Sequence, residues 1–152
     1  MKYNLVLLWM FVVFIVEIYE HGRLLFEDKK AFNWVTPIPK VCKANGGRVI
    51  AGICGAMVED AKEICYVSGA RLPTIYEFRK LTVDCGGSID DETNIKNISY
   101  ISCLKRQGFK GSAFWSSSRF IALPLLRWNY GVIQGRDGAG FSSQVMGVRC
   151  IK

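Results

Sequence analysis

The chain has 152 residues, 50% of them apolar and 22% charged, with 20 basic and 13 acidic residues for a formal charge of +7. That length suits one domain burying roughly two thirds of its unfolded surface, and the composition excludes a disordered chain or a coiled coil. The single histidine, His21, excludes a multi-histidine zinc site, a facial metal triad and a hydrolase triad with a deep histidine.

Lys2 gives a positive start, and Leu5 to Val16 is an unbroken apolar run. The run matches the core of an export signal and is shorter than the about 20 residues that span a bilayer. Residues 1–20 are therefore expected to be a signal peptide or a signal anchor. Glu17-Ile18-Tyr19-Glu20 offers no small residue for cleavage, so cleavage and retention of residues 5–19 as an anchor both stay open. Residues 21–30 read as a charged spacer and 31–152 as the domain. Cys42, Cys54, Cys65, Cys85, Cys103 and Cys150 are even in number and form no C-x-x-C pair. With an export signal they point to a disulfide-stapled domain in the periplasm, on the cell surface or secreted. Six cysteines allow 15 pairings, and spacing alone does not choose among them.

Residues 31–39 are apolar with two prolines, so at best an edge strand. Asn45-Gly46, between Cys42 and the apolar stretch Val49 to Cys54, predicts a β-hairpin. Met57, Ala61, Ile64 and Cys65 then form one helical stripe, with Glu59 and Asp60 in the first turn and Gly69 as terminator. Cys65 should face the core. Thr74-x-x-Glu77 is a capping box opening a short helix with Ile75, Phe78 and Leu81 inward. Pro73 pushes Leu72 to extended geometry and toward the core. Residues 82–112 read as loop. Their acidic run Asp90-Asp91-Glu92 lacks the ligand spacing and glycine of a calcium loop. From Ala113 the pattern turns to strands: Phe114 to Ser118, then Leu125 to Ile133 with Trp128, Tyr130 and Val132 on one face. Arg136 to Gly140 reads as a turn. Val145 to Ile151 is the last strand, with Met146, Val148 and Cys150 on one face and Arg149 on the other.

The order of these signals resembles a known fold. Gly69-Ala70-Arg71-Leu72-Pro73-Thr74-x-x-Glu77-Phe78, then Phe114-Trp115-Ser116-Ser117-Ser118, a strand with Trp128, and terminal Gly147-Val148-Arg149-Cys150 are similar to the C-type lectin-like fold in its bacterial form. That form includes the adhesion domains of intimin- and invasin-like proteins and, distantly, the formylglycine-generating enzyme family. The resemblance covers residues 55–152. It implies an α+β domain with two helices on a small, mostly antiparallel sheet. It also implies the pairs Cys65–Cys150 and Cys42–Cys54, leaving Cys85–Cys103, and a structural role for Arg71, Leu72, Pro73, Thr74, Glu77, Trp115 and Trp128. By analogy Arg71 should bond backbone carbonyls or an acidic residue. The calcium tripeptide of sugar-binding members is missing, as is the acidic residue after Trp128-Asn129, and only Arg119 to Pro124 occupy the place of the long calcium loop.

The expected function is a non-catalytic recognition module of adhesin type, with no cofactor and no metal. Its partner is an extracellular protein or glycan, or an anionic surface such as lipopolysaccharide, acidic glycan or phospholipid headgroups. Loops at one end of a rigid sheet carry such contacts, which singles out Arg119, Tyr130, Arg136, Asp137 and Phe141. The alternatives are a small oxidase of the formylglycine-generating type, which needs a reactive thiolate, and a membrane-tethered accessory protein. The basic residues are scattered and no nucleic-acid motif appears, so nucleic acid is not an expected partner.

Overall fold

The computed structural model describes residues 32–111, 113–121 and 123–152. The expected signal segment and spacer lie outside the described residues. In chain order the elements are β1 (Trp34–Val35), α1 (Pro39–Ala44), β2 (Arg48–Ile50), β3 (Ile53–Ala56), α2 (Val58–Val67) and α3 (Ile75–Asp84). A 3-10 turn (Glu92–Lys96) leads into α4 (Ile98–Arg106), followed by β4 (Ala113–Arg119), β5 (Leu126–Gly131), β6 (Arg136–Phe141), β7 (Met146–Gly147) and β8 (Cys150–Ile151). Six strands form a sheet in the order β2-β3-β7-β4-β5-β6, antiparallel except for β4 beside β7. β1 pairs antiparallel with β8 in a separate two-stranded sheet. The class is α+β, with four helices in the described residues where the sequence suggested two. None of those helices is long and apolar enough to cross a membrane.

Several local expectations shift by one element. Cys42 lies on α1, whose N-terminal turn carries Pro39, where the missing amide hydrogen costs nothing. Asn45-Gly46 ends that helix instead of turning a hairpin. The hairpin turn is Ala51-Gly52, both at positive φ, between the partners Ile50 and Ile53. A two-residue turn of that hand matches the twist of its strands. In α2 the inward stripe is Val58, Ala61, Ile64 and Cys65, all fully buried, whereas Met57 sits extended at the N-cap and is exposed. Gly69 closes α2 at φ 67°, with its amide on Tyr66 O and the Ala70 amide on Cys65 O. α3 runs on to Asp84 because Leu81 and Thr82 are both buried. Residues 82–111 are not one long loop: they hold the end of α3, the 3-10 turn and α4. Asn97 caps α4 by accepting from the Tyr100 amide at 3.0 Å, and Tyr100 and Leu104 are its buried face.

The core occupies both faces of the sheet. β4 shows why: Phe114 and Trp115 point to opposite faces and both are buried. Trp115 joins Ala56, Val58, Ile64, Leu72 and Val148 under α2, with its indole N–H donating to Ala56 O at 2.8 Å. Phe114 joins an aromatic cluster with Phe78, Tyr100, Phe109 and Tyr130, in which Phe78 stacks on Tyr130 at 5.3 Å. Trp128 packs at the edge of that cluster. Three disulfides staple the unit: Cys42–Cys54 ties α1 to β3, Cys65–Cys150 ties α2 to β8, and Cys85–Cys103 ties the end of α3 to α4. These are the pairs that the resemblance implies. Such bridges fit an oxidising compartment.

Candidate functional site

The β4–β5 connection follows an irregular stretch of strand pairing. β4 departs from regular register between Trp115 and Arg119, and the pairing resumes with Arg119 directly opposite Arg127. Like charges facing each other across a ladder are destabilising. No carboxylate relieves them: among the described residues Arg119 makes no ion pair, and Arg127 donates to the carbonyls of Pro124 and Leu126. Both arginines line a cleft of about 550 Å³ with Lys62, Ser116, Ser117 and Phe120, and no acidic side chain lines it. Lys62 is neutralised separately by Glu59 at 2.8 Å.

Three aliphatic residues between the two arginines are exposed. Ile121 is 95% exposed, Leu125 71% and Leu123 56%. Phe120 packs on Trp128 with centroids 4.7 Å apart, and the Leu126 amide bonds Leu123 O at 3.0 Å. Phe141, also exposed, lies opposite Leu126 on β6, and the Ser142 amide reaches Leu125 O. An aliphatic tip therefore stands beyond a pair of uncompensated guanidiniums.

Of the five expected contact residues, the structure brings Arg119 and Phe141 to this end. Arg136 and Asp137 lie on β6, in a strand and not in a turn. Gly138 fits that strand because a Cβ there would collide with Asn129. Arg136 pairs with Asp90 at 2.6 Å and with Glu92, and those bonds raise its pKa. Asp137 is held by Arg79. The acidic run is thus engaged: Asp91 caps the 3-10 turn through the Thr93 amide at 2.8 Å.

Tyr130 belongs to the core and not to any contact surface. Its hydroxyl bonds Thr82 Oγ1 at 2.8 Å, Tyr100 reaches the same oxygen at 3.3 Å, and Tyr100 donates to Val132 O. Burial, partly opposed by the Thr82 bond, pushes the Tyr130 phenol up to about 12. A tyrosine raised in the folded state contributes stability that is complete below the unfolded value near 10 and lost as pH climbs toward 12. Tyr130→Phe should cost about 1 kcal/mol at pH 8 through the lost hydrogen bond. The gap should narrow at pH 11 in denaturant melts, and an unchanged gap would remove Tyr130 from the alkaline transition.

Arg149 was expected opposite the core face of a continuous last strand. That strand breaks into β7 and β8, and Arg149, 3% exposed, lies between them. It donates to Gln107 O and sits 4.9 Å from the Phe109 ring centroid. Among the described residues its Nε and Nη1 have no hydrogen-bond partner. Burial lowers its pKa to about 10.

Sequence reading missed Arg127, Ile121, Leu123 and Leu125. The available signal was a short aliphatic stretch bounded by two arginines. Among the described residues no cluster of three or more histidine, cysteine, aspartate or glutamate side chains could hold a metal ion. Compared with protein-family models, curated proteins and solved structures, the chain matches none.

Proposed function

We propose that this chain is an exported, non-catalytic recognition module of C-type lectin-like architecture, binding an extracellular or cell-surface partner without calcium through the β4–β5 end of its sheet. The observation that carries the reading is Arg119 opposite Arg127 without a carboxylate, beneath an exposed aliphatic loop. A repulsive pair of this kind is relieved by an anionic group, because guanidinium forks match phosphate and carboxylate oxygens. Support for the architecture comes from the Cys65–Cys150 tie, the capping box after Arg71-Leu72-Pro73, and β1 closing on β8. The oxidase-type alternative needs a thiolate, and all six cysteines are bridged.

The test is binding of the oxidised full chain to intact cells, cell envelopes and printed glycans and matrix proteins. Binding to at least one is expected. It should survive a chelator and fall at least tenfold in R119Q/R127Q. Binding to none of them, loss with the chelator, or indifference to the double substitution overturns the proposal.

A further inference from the structure

We infer that the occupant of this site is a phospholipid bilayer bearing anionic phosphate headgroups, an inference that rests on the recognition reading above and names its partner. The sequence through the loop runs Arg119, Ile121, Leu123, Leu125, Arg127, so a cation flanks the aliphatic residues on either side. Pairing of β4 with β5 then sets the two arginines opposite each other in the ladder, two residues from Ile121 and Leu125 along the chain. An interfacial anchor has this layering: apolar side chains enter the headgroup–acyl boundary by about 5–10 Å while the cations stay among the phosphates.

The chemistry of the tip favours a bilayer over a folded partner or a sugar. Its exposed side chains are Ile121, Leu123, Leu125 and the neighbouring Phe141. They offer no hydrogen bond to sugar hydroxyls. Protein hot spots concentrate in Trp, Tyr and Arg, with leucine under-represented. Aliphatic groups this exposed lower their free energy in any hydrocarbon boundary. The two arginines supply the selectivity, since each basic residue near an anionic leaflet adds attraction that salt screens. The loop is held by the Phe120–Trp128 packing and the Arg127–carbonyl bonds.

The experiment uses the oxidised full chain and vesicles of phosphatidylcholine, alone or with 30% phosphatidylglycerol on the order used to mimic an anionic leaflet. Three proteins are compared: wild type, R119Q/R127Q and I121S/L125S. All keep the N-terminal apolar run, so its contribution cancels in the ratios. Near-ultraviolet circular dichroism confirms folding. Wild type should prefer the anionic vesicles and lose that preference in 0.5 M salt, where the Debye length is about 4 Å against about 10 Å at 0.1 M. R119Q/R127Q should bind them about 30-fold more weakly, and I121S/L125S at least about tenfold more weakly. Equal binding to both vesicle types, or variants that match wild type on anionic vesicles, overturns the inference. If vesicles stay unbound while R119Q/R127Q still lowers binding to cells or arrays, the bilayer falls and the recognition reading stands. If neither binding exists, both fall.

Discussion

Replacing Cys65 and Cys150 together by alanine should lower the free energy of unfolding by about 4.5 kcal/mol. The bridge closes a loop with a sequence separation of 85, against 12 for Cys42–Cys54 and 18 for Cys85–Cys103. The chain-entropy cost of closing a loop grows with the logarithm of its length, so either short bridge should contribute only about 3 kcal/mol. Packing points the same way. Cys65 and Cys150 are fully buried in the cluster with Ile64, Trp115 and Val148, so the alanine pair also leaves sulfur-sized space there. β8 carries more than its own two residues: it pairs with β1, and Ile151 exchanges backbone bonds with Arg71 at 3.0 and 2.9 Å. Freed from α2, the C-terminal strand loses the tie that holds those pairings together. Guanidinium melts of the three double-alanine variants should rank the long bridge first, and heating should show a Tm loss for it on the order of 15 °C. A smaller loss than for either short bridge would show that loop entropy does not set the stability of this fold.

What could be read from the sequence was local. The Thr74–Glu77 box spans three residues, and the structure has both of its bonds. The α2 stripe and its glycine stop are contained within a few turns. Positive-φ signals were visible but ambiguous: Asn45-Gly46 and Ala51-Gly52 both carry them, and only the pairing of Ile50 with Ile53 shows which makes the hairpin. α4 was hidden because its capping Asn97 sits in an Asn- and Gly-rich stretch that reads as loop, and its buried face is little more than Tyr100 and Leu104. Gly138 and Gly140 imitate a turn, yet they lie in β6 because Asn129, Gln144 and Met146 leave no room for a Cβ. The candidate site depended on register. Arg119 and Arg127 are eight positions apart, and nothing local shows that they face one another. Tyr130 looked like a contact residue by type, but strand alternation alone could not show that α3 covers it.

Glu77→Gln should cost about 2 kcal/mol near neutral pH, the effect of breaking charge-assisted hydrogen bonds to a buried carboxylate. The Glu77 side chain is 9% exposed, and its carboxylate accepts four hydrogen bonds. Arg71 donates Nη1 to Oε2 at 2.9 Å and Nη2 to Oε1 at 2.5 Å. The Thr74 amide and hydroxyl reach Oε2 at 2.8 and 3.1 Å. Glutamine keeps the shape but replaces one acceptor with an N–H₂ group that meets the Arg71 donors head on. Arg71 is half-exposed, so water screens part of the charge attraction and the lost hydrogen bonds make up most of the change. Burial pushes the Glu77 pKa up, but the Arg71 and Thr74 bonds and the Arg71 charge outweigh it and hold the carboxyl below its ordinary value. A depressed carboxyl contributes stability that is complete above its unfolded value and disappears as pH falls through the folded one. Wild type should therefore lose stability as pH falls below the ordinary carboxylate range, while the glutamine variant changes less. Urea melts at pH 7 and pH 3 should show the gap closing toward acid. A gap as wide at pH 3 as at pH 7 would mean that Glu77 acts by shape alone and that its pairing with Arg71 does not join the head of α3 to the C-terminal strand.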